Sequence, residues 1–289
     1  MSVVSGVNAA AVTPRGADGM LDESALSSYI DFLCTHQVAG IALNGATGEY
    51  PLTSADELRR ILAVAKEAAA GRSKIICGVG GAGLKDTLER CAIAADAGAY
   101  ALLLPLPFFF PYQQEDVVAF AGAVAVEVDL PILLYNLPQF TSGYSTATVM
   151  SLLDGHRNIA GIKDSSGKLE TLRKMTTSAE GSTRIVGNDS VLAQALRERI
   201  CDGVISGVAG VVPELISDLF NAAPEHFDEA AQTVSEFISH IEPFPTPWGL
   251  KFIGETRGLF PATFGQPLAS SRKEAGKALQ DWFAAWWPK

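Results

Sequence analysis

Short apolar runs alternate along the chain with longer stretches in which apolar positions recur every three or four residues. The runs cover residues 7–12, 40–43, 74–79, 100–104, 131–135, 159–163, 184–186 and 203–205. Each is nearly continuous in hydrophobicity, the pattern of strands buried on both faces of a parallel sheet. The stretches between them read as helices. In residues 54–70, Leu58, Ile61, Leu62 and Ala65 fall on one face, Thr53 or Ser54 can cap the start, and Asp56 and Glu57 occupy the first turn. Residues 84–97 form a second helix, with Gly98 placed to end it. Residues 113–128, 146–153, 168–178, 190–199 and 213–222 continue the series. Strand then helix, eight times over, with connectors of about 2–6 residues, predicts a closed (β/α)8 TIM barrel. After residue 223 the strands stop. Residues 224–240, 246–256 and 267–287 read as helices only, a C-terminal extension packed on the side of the barrel. The expected organisation is therefore a barrel over 1–223 that carries the site and a helical extension over 224–289. Trp282, Trp286 and Trp287 in the extension are expected to serve packing or oligomer contacts.

The competing architecture is a doubly wound open sheet. Its support is the turn Gly78-Val79-Gly80-Gly81-Ala82-Gly83 after the third run. No acidic residue follows a second strand at the distance needed to hold a ribose, so a nucleotide site is not favoured.

Composition narrows the function. Hydrophobic residues make up 48% of 289 positions and charged ones 19%, enough apolar material for a large core. Asp plus Glu exceeds Lys plus Arg by 32 to 22, a net charge of −10, which argues against nucleic-acid binding. No segment reads as membrane-spanning, and the N-terminal residues lack the basic-then-apolar order of a secretory signal. Cys34, Cys77, Cys91 and Cys201 have neither C-x-x-C nor zinc-ligand spacing and read as reduced thiols of a cytoplasmic protein. The four histidines show no paired spacing, so a metal-dependent barrel aldolase finds no clustered ligands.

Barrel enzymes carry their chemistry at the C-terminal strand ends. The sixth run, Ile159-Ala160-Gly161-Ile162-Lys163, is apolar and ends in an amine. Desolvation in a barrel mouth favours the neutral amine, the form that attacks a ketone to give an imine. The alternative is a lysine paired with Asp164 or Glu49 at the rim. Tyr135 ends the neighbouring run, where a phenol can carry the proton transfers that imine formation needs; otherwise it is a core tyrosine bonded to a carbonyl. The turn Gly45-Ala46-Thr47-Gly48 offers backbone N–H groups and a hydroxyl that can hold a carboxylate, or it is an ordinary loop. Asp189 either binds substrate hydroxyls or caps the following helix. Lys163, Tyr135 and the 45–48 turn together point to a small 2-oxo acid, its carboxylate on the turn and its ketone condensed with Lys163.

The ordered motifs Gly45-x-Thr47-Gly48-Glu49, Leu134-Tyr135-Asn136-x-Pro138, Gly161-Ile162-Lys163-Asp164 and Gly203-Val204-Ile205-Ser206 closely resemble the dihydrodipicolinate synthase / N-acetylneuraminate lyase family, over nearly the whole chain. The resemblance implies a Schiff-base class I aldolase or lyase with no metal or organic cofactor, usually a homotetramer, with a dimer the smaller option. It implies Lys163 as the imine lysine, Tyr135 as the proton shuttle, Thr47 and the Ala46 backbone as the carboxylate site, and Gly187 and Ile205 as pocket lining. Three positions depart from the synthase proper. Ala46 stands where it has a hydroxyl residue. Phe109 stands where it has a tyrosine lent across a subunit interface. Phe140 stands where an arginine grips the aldehyde substrate's carboxylate, a pairing that phenylalanine cannot make. The expected reaction is reversible aldol cleavage of a 2-keto-3-deoxy sugar acid, or a related 2-oxo acid, to pyruvate and an aldehyde, with an apolar or aromatic aldehyde as another option. The alternatives are 4-hydroxy-tetrahydrodipicolinate synthesis, a dehydratase working through the same imine, and a non-catalytic pyruvate-binding protein.

Overall fold

The computed structural model describes residues 2–287; Met1, Pro288 and Lys289, which close the two expected segments, lie outside the described residues. Eight parallel strands, β1 (Gly6–Ala10), β2 (Gly40–Leu43), β3 (Lys74–Gly78), β4 (Ala101–Pro105), β5 (Ile132–Asn136), β6 (Ile159–Asp164), β7 (Thr183–Val186) and β8 (Gly203–Ser206), pair in sequence order. The ring closes where β1 pairs with β8, Gly6 opposite Gly203 and Ala9 opposite Ser206. The barrel drawn from the apolar runs is thus present, and the open sheet is excluded.

Around the barrel lie α1 (Glu23–Thr35), α2 (Ala55–Ala69), α3 (Leu84–Ala97), α4 (Gln114–Glu127), α5 (Thr146–Gly155), α6 (Glu170–Ser178), α7 (Leu192–Glu198) and α8 (Pro213–Phe220). Local chemistry starts and stops them as the sequence indicates. The Ser54 hydroxyl accepts from the Glu57 N–H at 3.1 Å and opens α2, and Gly98, at φ +77°, closes α3. The sequence expectations name no helix between β1 and β2, yet Leu26, Tyr29, Ile30 and Leu33 of α1 have the same spacing and are buried, with Asp22 capping the first turn.

Two apolar layers follow from the alternation of side chains along a strand. One parity, including Ala10, Ala42, Ile76, Leu103, Leu133 and Ile205, fills the barrel interior. The other, including Ile41, Leu102, Leu134, Ile162 and Val204, packs against the helices. The same rule acts on the polar residues at the strand ends: Tyr135 and Lys163 point in, Asp164 points out. An irregularity at the start of β6 is essential here. Ile132 pairs with Ile159, but Leu133 pairs with Gly161, so one residue of β6 is skipped. The skipped residue, Ala160, packs on the interior layer; after it Gly161 and Lys163 take the inward positions, and Lys163 becomes the partner of Tyr135.

The extension consists of α9 (Phe227–Ile241), α10 (Trp248–Thr256) and α11 (Ser270–Trp286). Its tryptophans pack within the chain: Trp282 stacks on His240 at 3.6 Å between centroids and on Trp286 at 5.0 Å, beside Phe237 and Phe283. The extension does more than lean on the barrel side. The end of α9, the segment that follows it and the start of α10 reach over the mouth, where Ile241, Phe244, Pro247 and Leu250 wall the cavity described next. Among the described residues, no helix is long and apolar enough to cross a membrane.

Candidate active site

A cavity of about 320 Å³ opens at the C-terminal end of the barrel, within the range of small-molecule sites. Ala46, Thr47, Tyr135, Phe140, Lys163, Gly187 and Ile205, all singled out from sequence, line it together. They come from the ends of five different strands, so only closure of the barrel makes them neighbours. Phe109 is not brought to this cavity. It lies beyond β4 at φ +84°, 86% exposed, in edge contact with Phe110 at 4.9 Å.

Lys163 is 2% exposed, and its Nζ lies 3.0 Å from the Tyr135 hydroxyl. Neither of the partners considered as alternatives reaches it. Asp164, one residue on, faces the other side of the strand, where its Oδ1 accepts from Asn136 Nδ2 at 3.2 Å and from the Ser166 N–H at 2.9 Å. Burial pushes this carboxyl up, and those donors pull it back. Glu49 pairs instead with Lys251 of α10, at 2.5 Å. The space beside the Lys163 stem exists because residue 187 has no side chain. A Cβ there would fall 2.2 Å from Ser165 Oγ and 2.9 Å from Lys163 Cε.

The turn after β2 leaves its donors free. Among the described residues, the N–H groups of Ala46 and Thr47 and the Thr47 hydroxyl donate to no protein acceptor, while Glu49 N–H closes the turn on the Ala46 carbonyl at 3.0 Å. Donors that converge at a loop leading to a helix suit an anion such as a carboxylate. Tyr50 follows at once, its ring buried where a Cβ on Gly80 would meet it at 2.5 Å. Burial, then the nearby Tyr135, push its phenol up to about 12.

Asp189 is not the cap of the helix after β7. Asn188 fills that role, its Oδ1 accepting from the Ser190 N–H at 3.1 Å. Asp189 turns towards the cavity. Its Oδ2 takes a bond from the Val208 N–H at 3.3 Å, while its enclosed Oδ1 has no partner among the described residues. Burial pushes the carboxyl up, against the pull of Ser206, the Val208 N–H and the Lys163 charge. Lys163 is the one cationic side chain in the described lining, and Asp189 and Glu242 supply two acids.

Three of the cysteines are held as thiols. Burial pushes the Cys77 and Cys91 thiols up to about 12 and Cys201 to about 11, which removes their nucleophilic form at neutral pH. The residues missed from sequence are mainly those of the extension. Lys251 had a signal: Leu250-Lys251-Phe252-Ile253 is an amine in an apolar run, as in the sixth strand.

Residues 3–285 match the model of the Dihydrodipicolinate synthetase family. A 4-hydroxy-tetrahydrodipicolinate synthase of Ralstonia nicotianae is 32% identical over 292 residues, covering 97% of this chain and 98% of that one. An uncharacterised lyase of Halobacterium salinarum is 29% identical, covering 95% and 91%. Among solved structures, the dihydrodipicolinate synthase of Aquifex aeolicus superposes with a TM-score of 0.89 at 25% identity, covering 98% of both chains. A prophage protein of the same family from E. coli K12, solved in complex with pyruvate, gives 0.89 at 25% identity, covering 97% and 98%.

Proposed function

The chain belongs to the dihydrodipicolinate synthetase family and is a lyase of the pyruvate aldolase type, and from that premise we propose that it cleaves a 2-keto-3-deoxy sugar acid reversibly to pyruvate and a hydroxyaldehyde. The observation that carries the substrate class is Asp189. A carboxylate in the wall of the same cavity as Lys163, one oxygen of which has no partner among the described residues, suits the hydroxyl of a bound sugar chain once that oxygen turns to meet it. A second carboxylate on the substrate meets no further cation in the described lining, where Phe140 stands at the mouth and Asp189 and Glu242 are acids.

The chemistry follows from placement. The substrate carboxylate takes the free N–H groups of Ala46 and Thr47 and the Thr47 hydroxyl. Lys163 Nζ, as the free amine, attacks the C2 ketone. Tyr135, 3.0 Å away, gives a proton to the departing hydroxide, so the carbinolamine loses water and leaves an iminium. The iminium draws the C3–C4 bonding electrons as the C4 hydroxyl loses its proton through Tyr135. An aldehyde departs, and an enamine remains on Lys163. Protonation at C3 and hydrolysis of the imine release pyruvate and restore the amine.

The reading includes a homotetramer or dimer in the cytoplasm. Exposed Phe109 and Phe110 offer apolar surface to a second subunit, and four unpaired cysteines suit a reducing compartment. It also divides the chain into a barrel, 1–223, that carries the active site and a C-terminal helical extension, 224–289.

The test is a panel of 2-keto-3-deoxy sugar acids assayed for pyruvate release, with L-aspartate semialdehyde plus pyruvate assayed in parallel. Sugar acids are expected to turn over efficiently and the semialdehyde poorly. If the semialdehyde is consumed faster than every sugar acid, the substrate class is wrong and synthesis takes its place.

A further inference from the structure

The turn that offers its N–H groups to the substrate is bracketed by two non-glycine residues in the left-handed region, Asn44 at φ +54° and Glu49 at φ +56°. Asparagine tolerates that conformation, whereas it is uncommon for glutamate. Each bracket is pinned by its own side chain. Asn44 Nδ2 donates to the Gly78 carbonyl at 2.7 Å, across to β3. Glu49 is pinned from the far end of the chain, its Oε2 accepting from Lys251 Nζ at 2.5 Å.

Lys251 is 1% exposed. Its second bond goes to the Thr263 carbonyl at 2.8 Å, and Thr263 Oγ1 donates to the Arg15 carbonyl at 2.8 Å, so the amine also ties the chain after α10 to the loop after β1. The residue before it, Leu250, lines the cavity. A Cβ on Gly207 would lie 2.9 Å from Leu250 Cδ1 and 3.7 Å from Thr47 Oγ1, which puts α10 and the turn on either side of one glycine. A buried ion pair adds little stability over apolar packing of the same shape, so the weight of this one lies in the geometry it holds.

We infer that Lys251 is a positioning residue for the oxo-acid carboxylate: through Glu49 it sets the Ala46–Thr47 turn, so that the C-terminal extension tunes affinity for the substrate's acid end without touching it. The inference deepens the function proposed above and rests on the turn being the carboxylate site.

The measurement is the mass increase of the protein trapped with pyruvate and cyanoborohydride, followed as a function of pyruvate concentration. Glu49→Asp keeps both charges and shortens the reach by one methylene. Glu49→Gln combined with Lys251→Met removes both charges and leaves neither alone. Both are expected to raise the half-saturating pyruvate about tenfold, while the trapping rate at saturation stays within about threefold. A half-saturation equal to wild type in Glu49→Asp, or a lower saturating rate at unchanged half-saturation, overturns the inference. Glu49→Asp decides alone if the double variant does not fold. Thr47→Val separates the two levels: it raises half-saturation if the turn binds the carboxylate. No change in Thr47→Val, or no adduct in wild type, refutes the underlying reading; a response to Thr47→Val but not to Glu49→Asp refutes the role of Lys251 alone.

Discussion

Tyr135 and Lys163 are Cα partners across β5 and β6, with hydroxyl and amine 3.0 Å apart, because β6 skips one residue after Ile159. With the register of Ile132 and Ile159 continued, Tyr135 would face Ile162, and Lys163 would face Asn136. The pairing that makes imine chemistry accessible is thus set by a local irregularity far from the mouth.

That pairing makes the two residues separable by experiment. Lys163→Met is expected to give no trapped adduct and no turnover. Tyr135→Phe keeps the ring and the packing but removes the proton carrier. Its kcat is expected to fall roughly 10²–10⁴-fold with little change in KM, while a slow adduct on Lys163 still forms. Wild-type kcat in Tyr135→Phe, measured by pyruvate release, would remove Tyr135 from the mechanism.

Gly187→Ala is expected to silence the amine more than it harms the fold. The new methyl meets Ser165 Oγ and the Lys163 stem, both side chains that can shift. The stability cost is that of local overpacking, about 1–3 kcal/mol. Displacing Nζ by about 1 Å costs on the order of 100-fold in rate. Trapping rate and thermal unfolding on the same sample check this; a variant that unfolds early but traps normally when folded contradicts it.

Asp189→Asn trades function for stability in a pH-dependent way. The native carboxyl is pushed above its ordinary 3.8. Its favourable, protonated state is therefore fully present below that value and lost as pH rises through the raised one. Asparagine stays neutral throughout. The variant is expected to match wild type in Tm below pH 3.8 and to exceed it at neutral pH. Its kcat/KM for the sugar acid is expected to drop about tenfold or more. A Tm difference of the opposite sign, or one independent of pH, contradicts the account of Asp189.

Phe140→Arg tests the charge logic of the mouth. Phe140 is 55% exposed and lines the cavity, so an arginine there is accommodated without burial. It is expected to raise kcat/KM for an aldehyde acceptor bearing a carboxylate roughly fivefold, the factor that about 1 kcal/mol of partly exposed pairing gives, and to leave a neutral hydroxyaldehyde unaffected. Equal effects on both acceptors would show that position 140 does not read charge.

Much of this was legible in the residues. The eight strands are visible because a parallel barrel buries both faces, which makes each strand a continuous apolar run, and an amine at the end of such a run has to be explained. The same helical period marks α1 in Leu26, Tyr29, Ile30 and Leu33. The role of Asp189 was open between cap and ligand, because Asn188 and Asp189 are equivalent as sequence; the backbone after β7 gives the capping bond to Asn188 and frees its neighbour.

Local order in the chain determined the elements and their sequence around the barrel, since hydrophobic period and capping act over a few residues. Only the tertiary structure decided which of the chemically active side chains meet. The skip in β6 that aligns Lys163 with Tyr135, and the bond from Lys251 to Glu49 across 202 positions, depend on strand register and on helices folding back over the mouth. Neither leaves a local period to read.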